Sequence, residues 1–222
     1  MGELLLRLLP ELIGLIITPG AIAGCILLLH SHQPVRNARA FGGAFMLTYT
    51  LIVVSALLGG ASDPGSTSPH TSSAAGLAVG LIFLAAGAWV ATRPRAAAAT
   101  TPKWLDELGN AGPRRAFVIG LAFAVVNPNL FIMISGMSLI SSSHTGTGAA
   151  FLATALLLAA AALDFLIPIG VYLALGDRAR TALDTAQDWM VRNNRAMSIT
   201  VLFAFGALFT LRGVVNLMSV RS

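Results

Sequence analysis

Asn127-Pro128-Asn129 interrupts an apolar run that extends from Phe117 to Ile134. Proline lacks a backbone donor and its ring crowds the preceding turn, so a helix should break or kink near Val126. Asparagines beside such a break can satisfy the freed backbone groups, or present amide donors and acceptors to a passenger. Thr18-Pro19-Gly20 is a second breaker of this kind, in the first apolar run. In an aqueous domain either triplet would be a loop. The flanks of Asn127-Pro128-Asn129, Ala116 to Val126 and Leu130 to Ile140, are too apolar for that. Irregular backbone at membrane depth is tolerated only where protein packs it or where it lines a cavity. Two broken helices, one in each half of a short chain, predict a transporter built from repeats. A packed proline kink is the plainer alternative for either site alone.

Ionisable groups inside apolar segments are costly and are functional candidates for that reason. Asp164 sits within Ala-Ala-Leu-Asp-Phe-Leu-Ile-Pro, with no base within two turns of its own helix. Two chemistries are open to it: proton exchange, as a proton-coupled exporter requires, or a hydrogen bond to a neighbouring helix. Glu11 lies nearer the end of the first apolar run, where it could simply reach the interface. Tyr49, between Thr48 and Thr50, is a further polar candidate. Gly20 with Gly24, and Ala116 with Gly120 and Ala124, recur at four-residue spacing. Small faces of that kind let helices approach closely, so packing is their expected role.

Other chemistries find little support. His30 and His32 adjoin Gln33, and His70 and His144 stand alone in loops. Two histidines one residue apart could join a metal site, but no acidic or cysteine cluster accompanies them, and no metal is expected. Cys25 is the single cysteine, so no dithiol relay within the chain is possible, and in its apolar run it reads as a small hydrophobe. There is no phosphate-cradling glycine loop with lysine, no nucleophile elbow and no zinc-helix signature. No nucleophile–base pair can be assembled from the polar residues inside the apolar runs. Neither ATP hydrolysis, nor another enzymatic activity, nor a cofactor is expected.

The elements that must position these residues are membrane spans. Of 222 residues, 56% are apolar and 10% charged, with mean hydropathy +0.80; a soluble domain usually carries about 25% charged residues. Roughly 20 apolar residues make a spanning helix. By that measure the chain is an all-α integral membrane protein of six transmembrane helices. These cover about 9–29 (broken at Pro19), 40–58, 74–92, 115–140 (broken at Pro128), 149–175 and 197–217. Met1 to Leu9 lacks a basic region and a small-residue cleavage site, so the first stretch is expected to be a retained span rather than a signal peptide.

The formal net charge of +5 could suggest nucleic acid, but its distribution points to topology instead. Most of the 14 Lys and Arg fall in the first, third and fifth connections, 30–39, 93–115 and 177–195. The connections 62–73 and 141–148 hold none. By the positive-inside rule the basic connections are cytoplasmic and both termini lie outside. The chain reads as a single membrane domain, 1–222, dividing 3 + 3: repeat 1 over about 1–92, a cytoplasmic amphipathic linker over about 93–114, and repeat 2 over about 115–222. An odd number of spans per half inverts the second repeat relative to the first. Ile13-Gly14-Leu15 before Pro19 faintly echoes Ile119-Gly120-Leu121 before Pro128.

Two cytoplasmic segments read as in-plane helices. In 177–192, Ala179, Ala182, Leu183, Ala186, Trp189 and Met190 share one face, while Arg180 with Asp184 and Asp188 with Arg192 are spaced four apart on the other side. In 102–108, Pro102 opens a turn that carries Trp104. Both suit interfacial anchors.

With these residues in view, the chain resembles the lysine-exporter (LysE) superfamily of small six-span bacterial transporters. Within it, the closer likeness is to the actinobacterial GAP group of peptidoglycolipid or sulfolipid addressing proteins. The resemblance rests on Thr18-Pro19-Gly20, the basic turn His30 to Arg39, and Gly120 through Asn127-Pro128-Asn129. Asp164 to Pro168 and Arg212-Gly213 add to it. Amino-acid exporters of the superfamily carry a longer Pro-Gly-Pro motif; here Ala21 replaces the second proline. The resemblance implies export, or assistance to export, of an envelope glycolipid across a bacterial inner membrane. Proton-coupled efflux of amino acids or other small solutes is one alternative, and an accessory or scaffold role in a larger lipid-export complex is another. Expected partners are membrane lipids, with a lipid-transport machinery or a homo-oligomer left open.

Overall fold

The computed structural model describes residues 2–58, 69–93, 112–143 and 145–219. The expected linker helix 102–108 with Trp104, the 62–68 part of the uncharged connection and His144 lie outside those residues. Among the described residues the chain is helical throughout: α1 (Gly2–Ile16), α2 (Pro19–Leu29), α3 (Pro34–Ala56), α4 (Pro69–Thr92), α5 (Pro113–Val126), α6 (Asn129–Ser141), α7 (Thr147–Leu175) and α8 (Asp177–Ser219). Proline opens α2, α3 and α5, a position whose N–H has no acceptor within the helix it starts.

Four stretches are long and apolar enough to cross a membrane: Gly2–Leu29, Pro34–Ala56, Thr147–Leu175 and Arg195–Val215. The pair α5–α6, bent by 60°, makes a fifth if the two helices form one span. The apolar part of α4, Gly76–Thr92, is shorter. The protein is therefore an all-helical membrane protein.

The two breaks differ in severity. Gly2–Leu29 still counts as one span across Pro19, whereas α5 and α6 diverge sharply. A residue before proline is driven out of the helical region. Asn127 responds by becoming fully extended (φ −72°, ψ 133°), and Thr18 moves less far (φ −114°, ψ 85°).

The segment 177–192 is not a separate in-plane helix. It runs without interruption into the last apolar stretch, giving a 43-residue helix, because no proline falls between Asp177 and Ser219. At about 1.5 Å per residue that is roughly 65 Å, twice the hydrocarbon thickness of about 30 Å. The chain turns from α7 into α8 on Gly176, whose φ of 55° and ψ of −131° suit only glycine. Asp184 is met from another element, with His30 Nε2 2.9 Å from its Oδ1; the Arg180 side chain, its expected partner, lies outside the described residues.

Glycines set the closest helix approaches. A Cβ at Gly120 would sit 2.7 Å from the Phe41 carbonyl oxygen and 2.9 Å from Ala44 Cβ, so α5 lies directly on α3. Along α4 and α8, a Cβ at Gly80 would sit 2.5 Å from the Thr210 amide nitrogen, and one at Gly213 2.9 Å from that of Leu77. Gly24 packs on the Phe41 ring, but a Cβ at Gly20 would meet nothing within 4 Å. The expected Gly20–Gly24 packing face is thus only half correct. One aromatic cluster, Phe41, Phe45, Tyr49, Phe123 and Phe165, fills the space between α3, α5 and α7. A second, Phe83, Phe131, Phe205 and Phe209, fills that between α4, α6 and α8.

Candidate functional site

The first break creates a specific deficit. Pro19 has no N–H, so the Leu15 carbonyl loses the donor that a continuous helix would supply. The Asn129 amide of the other break fills the gap: its Nδ2 lies 3.5 Å from Leu15 O and donates to the Thr18 hydroxyl. Asn129 is itself held by Asn127, whose Oδ1 accepts the Asn129 backbone N–H at 3.0 Å and so caps the start of α6. Each break is completed by a side chain of the Asn127-Pro128-Asn129 triplet. Thr18 and Asn129 are accordingly buried.

Asp164, on α7, lies behind this link. It is buried, and its carboxyl faces the Thr18 hydroxyl and backbone N–H, while Oδ1 has no hydrogen-bond partner. The Thr18 hydroxyl accepts from Asn129 and has its own proton free to offer Asp164, so a polar chain runs Asn129–Thr18–Asp164 across three elements. Cys25 and Tyr49 lie within electrostatic reach of Asp164, and Tyr49 is buried against Phe45.

In front of the link is a cavity of about 500 Å³. Thr18, Pro19, Gly20, Asn127, Pro128 and Asn129 line it, with apolar walls from Ile17, Val90, Phe123, Val126, Val201 and Leu202, and Ser198 as a further hydroxyl. The open space beside Gly20 belongs to this cavity. Its size falls in the ordinary range for ligand pockets, about 300–1,000 Å³.

Of the residues singled out from sequence, the six break residues share this cavity, and Asp164 and Tyr49 stand behind it. Glu11 does not join them. It does not reach the interface either: fully buried, its Oε1 accepts from Arg212 Nη1 at 2.7 Å and from Ser135 Oγ at 3.3 Å. Arg212 also donates to Arg7 O at 2.9 Å. This pair binds α1 and α8 together, with α6 joined through Ser135. A cation inside the last apolar stretch was the signal for it, since such a charge needs a partner. Nothing in the sequence marked Val90, Met197 or Ser198 as cavity residues. Among the described residues, no three His, Cys, Asp or Glu side chains come close enough to hold a metal ion.

A helical membrane protein whose two proline breaks are joined across its interior, beside a buried acid and an apolar-walled cavity, is the class that fold and site define. Within that class the chain belongs to the Sap (sulfolipid-1-addressing protein) family, whose model matches residues 8–215. The chain has no significant match among the curated proteins or the solved structures.

Proposed function

We propose that this protein moves, or assists the movement of, an envelope lipid of the glycolipid class across the bacterial inner membrane. The observation that carries this reading is the cavity where the two breaks meet. Its walls are mainly apolar, which suits an acyl chain and offers an amino acid no charged partner. The family's printed description, a sulfolipid addressing protein, agrees with a lipid passenger. In this reading Asp164 is the coupling group, exchanging a proton as the Asn129–Thr18–Asp164 chain is made and broken.

The reading includes six spans in two inverted repeats, with α4 as the third span. Exchanging the halves maps α1 on α5, α2 on α6, α3 on α7 and α4 on α8. Several packed pairs then match one another: α1–α7 with α3–α5, α2–α3 with α6–α7, α2–α7 with α3–α6, and α2–α8 with α4–α6, whereas α1–α6, α5–α6 and α7–α8 have no counterpart of similar extent among the described residues. The pairs α3–α7 and α4–α8 map on themselves. Inverted repeats with broken helices near the midplane are a recurrent transporter design.

The test is reconstitution of the purified protein into liposomes. Movement of a labelled anionic glycolipid between leaflets is expected to exceed that in protein-free vesicles, and Asp164→Asn is expected to abolish its dependence on a proton gradient while the protein stays folded. Movement of a labelled amino acid with no effect on lipid would overturn the lipid reading. Inactivity of the pure protein, with lipid missing from the envelope of a deletion strain, would favour an accessory role.

A further inference from the structure

The cavity's position along the membrane normal follows from the chain. Ile17 is at the middle of the span Gly2–Leu29, and Val126 is at the middle of the bent pair Pro113–Ser141. Both line the cavity, and both are exposed, Ile17 by 45% and Val126 by 82%. Ala122, one turn before Val126, is exposed as well. An exposed side chain at the middle of a spanning helix faces either hydrocarbon or a cavity, and these three are apolar. At the other end the cavity is lined by Val90, near the C-terminus of α4, and Met197, near the start of the span Arg195–Val215. It therefore extends from the bilayer midplane to one membrane surface, the length of a single leaflet.

That surface end carries positive charge. Arg93 lies one turn beyond Val90 and stacks on Trp89 with its guanidinium carbon 3.6 Å from the ring centroid. Arg195 donates to Ala91 O at 2.9 Å and to Arg93 O at 2.6 Å, which closes the end of α4 and brings a second arginine to that end. A water-filled vestibule would open at the surface and be polar along its length. Here the exposed part of the wall, Ile17, Ala122 and Val126, is apolar.

We propose that the cavity is a lateral portal. The acyl chain of an anionic lipid passes from the leaflet between Ile17 and Val126, while its headgroup rests at Arg93 and Arg195. This deepens the export reading and rests on it for its purpose, but the occupancy it describes can be measured without transport. The lipid already has its tail at the midplane and its headgroup at the interface, so it enters without reorienting, and the apolar mouth excludes water-soluble solutes. Thr18 and Asn129 at the inner wall are hydrogen-bonded to each other, so neither is left unpaired, which would be costly beside hydrocarbon.

The test uses the full chain with Cys25→Ser, a single cysteine at the cavity wall (Val201→Cys) and an environment-sensitive fluorophore attached to it. Vesicles contain phosphatidylcholine or phosphatidylglycerol brominated at mid-chain. A control label replaces lipid-facing Leu166, which is 60% exposed. Brominated phosphatidylglycerol is expected to quench the cavity label at least twofold more than brominated phosphatidylcholine, with little quenching by aqueous iodide. Ile17→Trp or Val126→Trp, which narrow the mouth, should remove most bromolipid quenching at position 201 and leave the Leu166 control unchanged. Iodide quenching that exceeds bromolipid quenching would mean an aqueous vestibule and overturn the portal. Equal quenching by both lipids, unaltered by Arg93→Gln with Arg195→Gln, would overturn the headgroup assignment. Quenching as expected with no lipid movement in the export assay would sink the exporter reading and leave the portal standing.

Discussion

Asn129 carries more of the site than its size suggests, because one amide serves both the Leu15 carbonyl, which Pro19 leaves short, and the Thr18 hydroxyl. Asn129→Ala strands the Leu15 carbonyl and the Thr18 hydroxyl inside protein, and a buried group left unpaired costs about 1–3 kcal/mol. Asn127→Ala loses only the cap at the start of α6, worth about 1 kcal/mol. The expected outcome is a clearly larger fall in the thermal unfolding midpoint in detergent for Asn129→Ala; equal falls would show that the inter-break link contributes nothing beyond capping. Glu11 and Arg212 form an unequal pair. Arg212 is part-exposed and can turn toward water, whereas Glu11 is fully enclosed. Arg212→Gln therefore leaves a buried carboxylate with Ser135 as its remaining side-chain partner, a loss of about 3 kcal/mol. Glu11→Gln should cost less and keep the protein monodisperse. Size-exclusion profiles and melting curves of the two variants check the order.

At the scale of elements, close approach is decided by a few glycines, and they are not interchangeable. Gly80 and Gly213 sit where α8 backbone or α4 backbone occupies the space a side chain would need. Gly80→Leu or Gly213→Leu must separate α4 from α8, and loss of folded protein on membrane extraction is expected. Gly20→Ala meets open cavity instead; it should leave the melting point unchanged or raise it slightly, since alanine favours helix over glycine by roughly 1 kcal/mol. A melting point lowered by Gly20→Ala would mean that the cavity is not open at that wall. From sequence, Gly20 and Gly24 looked equivalent, because four-residue spacing gives a shared face but not what the face meets. The breaks themselves were legible: proline chemistry acts within one turn, and residues 17–18 and 127–128 are where the helices stop. That Asn129 would cap the opposite break was not legible, because it depends on how α6 packs against α1. The same holds for Arg212 and Glu11, which are 201 positions apart in the chain. The end of the 177–192 segment was misjudged for a different reason. Its polar face fades into the apolar stretch without a breaker, so amphipathic pattern alone placed a boundary that the backbone does not have.

For the molecule as a whole, the open question is the role of α4. Its apolar part, Gly76–Thr92, spans about 26 Å at 1.5 Å per residue, slightly less than the hydrocarbon core of about 30 Å. A mismatch of a few ångströms costs only fractions of a kcal/mol per ångström, through local thinning of the bilayer or tilt. Against that small cost stands the long glycine-lined contact with α8, whose stretch Arg195–Val215 is long enough to cross the membrane, and the Arg195 bonds that fix the end of α4 beside the start of that stretch. On the proposed reading α4 crosses beside α8, and the six crossings place both termini on one face, with Arg36, Arg39, Arg114, Arg115 and Arg195 on the other. Five crossings would separate the termini and divide those arginines between two faces. Because Cys25 is buried and is the single cysteine, Cys25→Ser provides a clean background for cysteines introduced at positions 2, 36, 114 and 219. In intact cells, a membrane-impermeant maleimide is expected to label positions 2 and 219 and to spare 36 and 114 until the membrane is opened. Labelling of only one terminus from outside would show that α4 does not cross, and would remove the inverted repeat together with the third span.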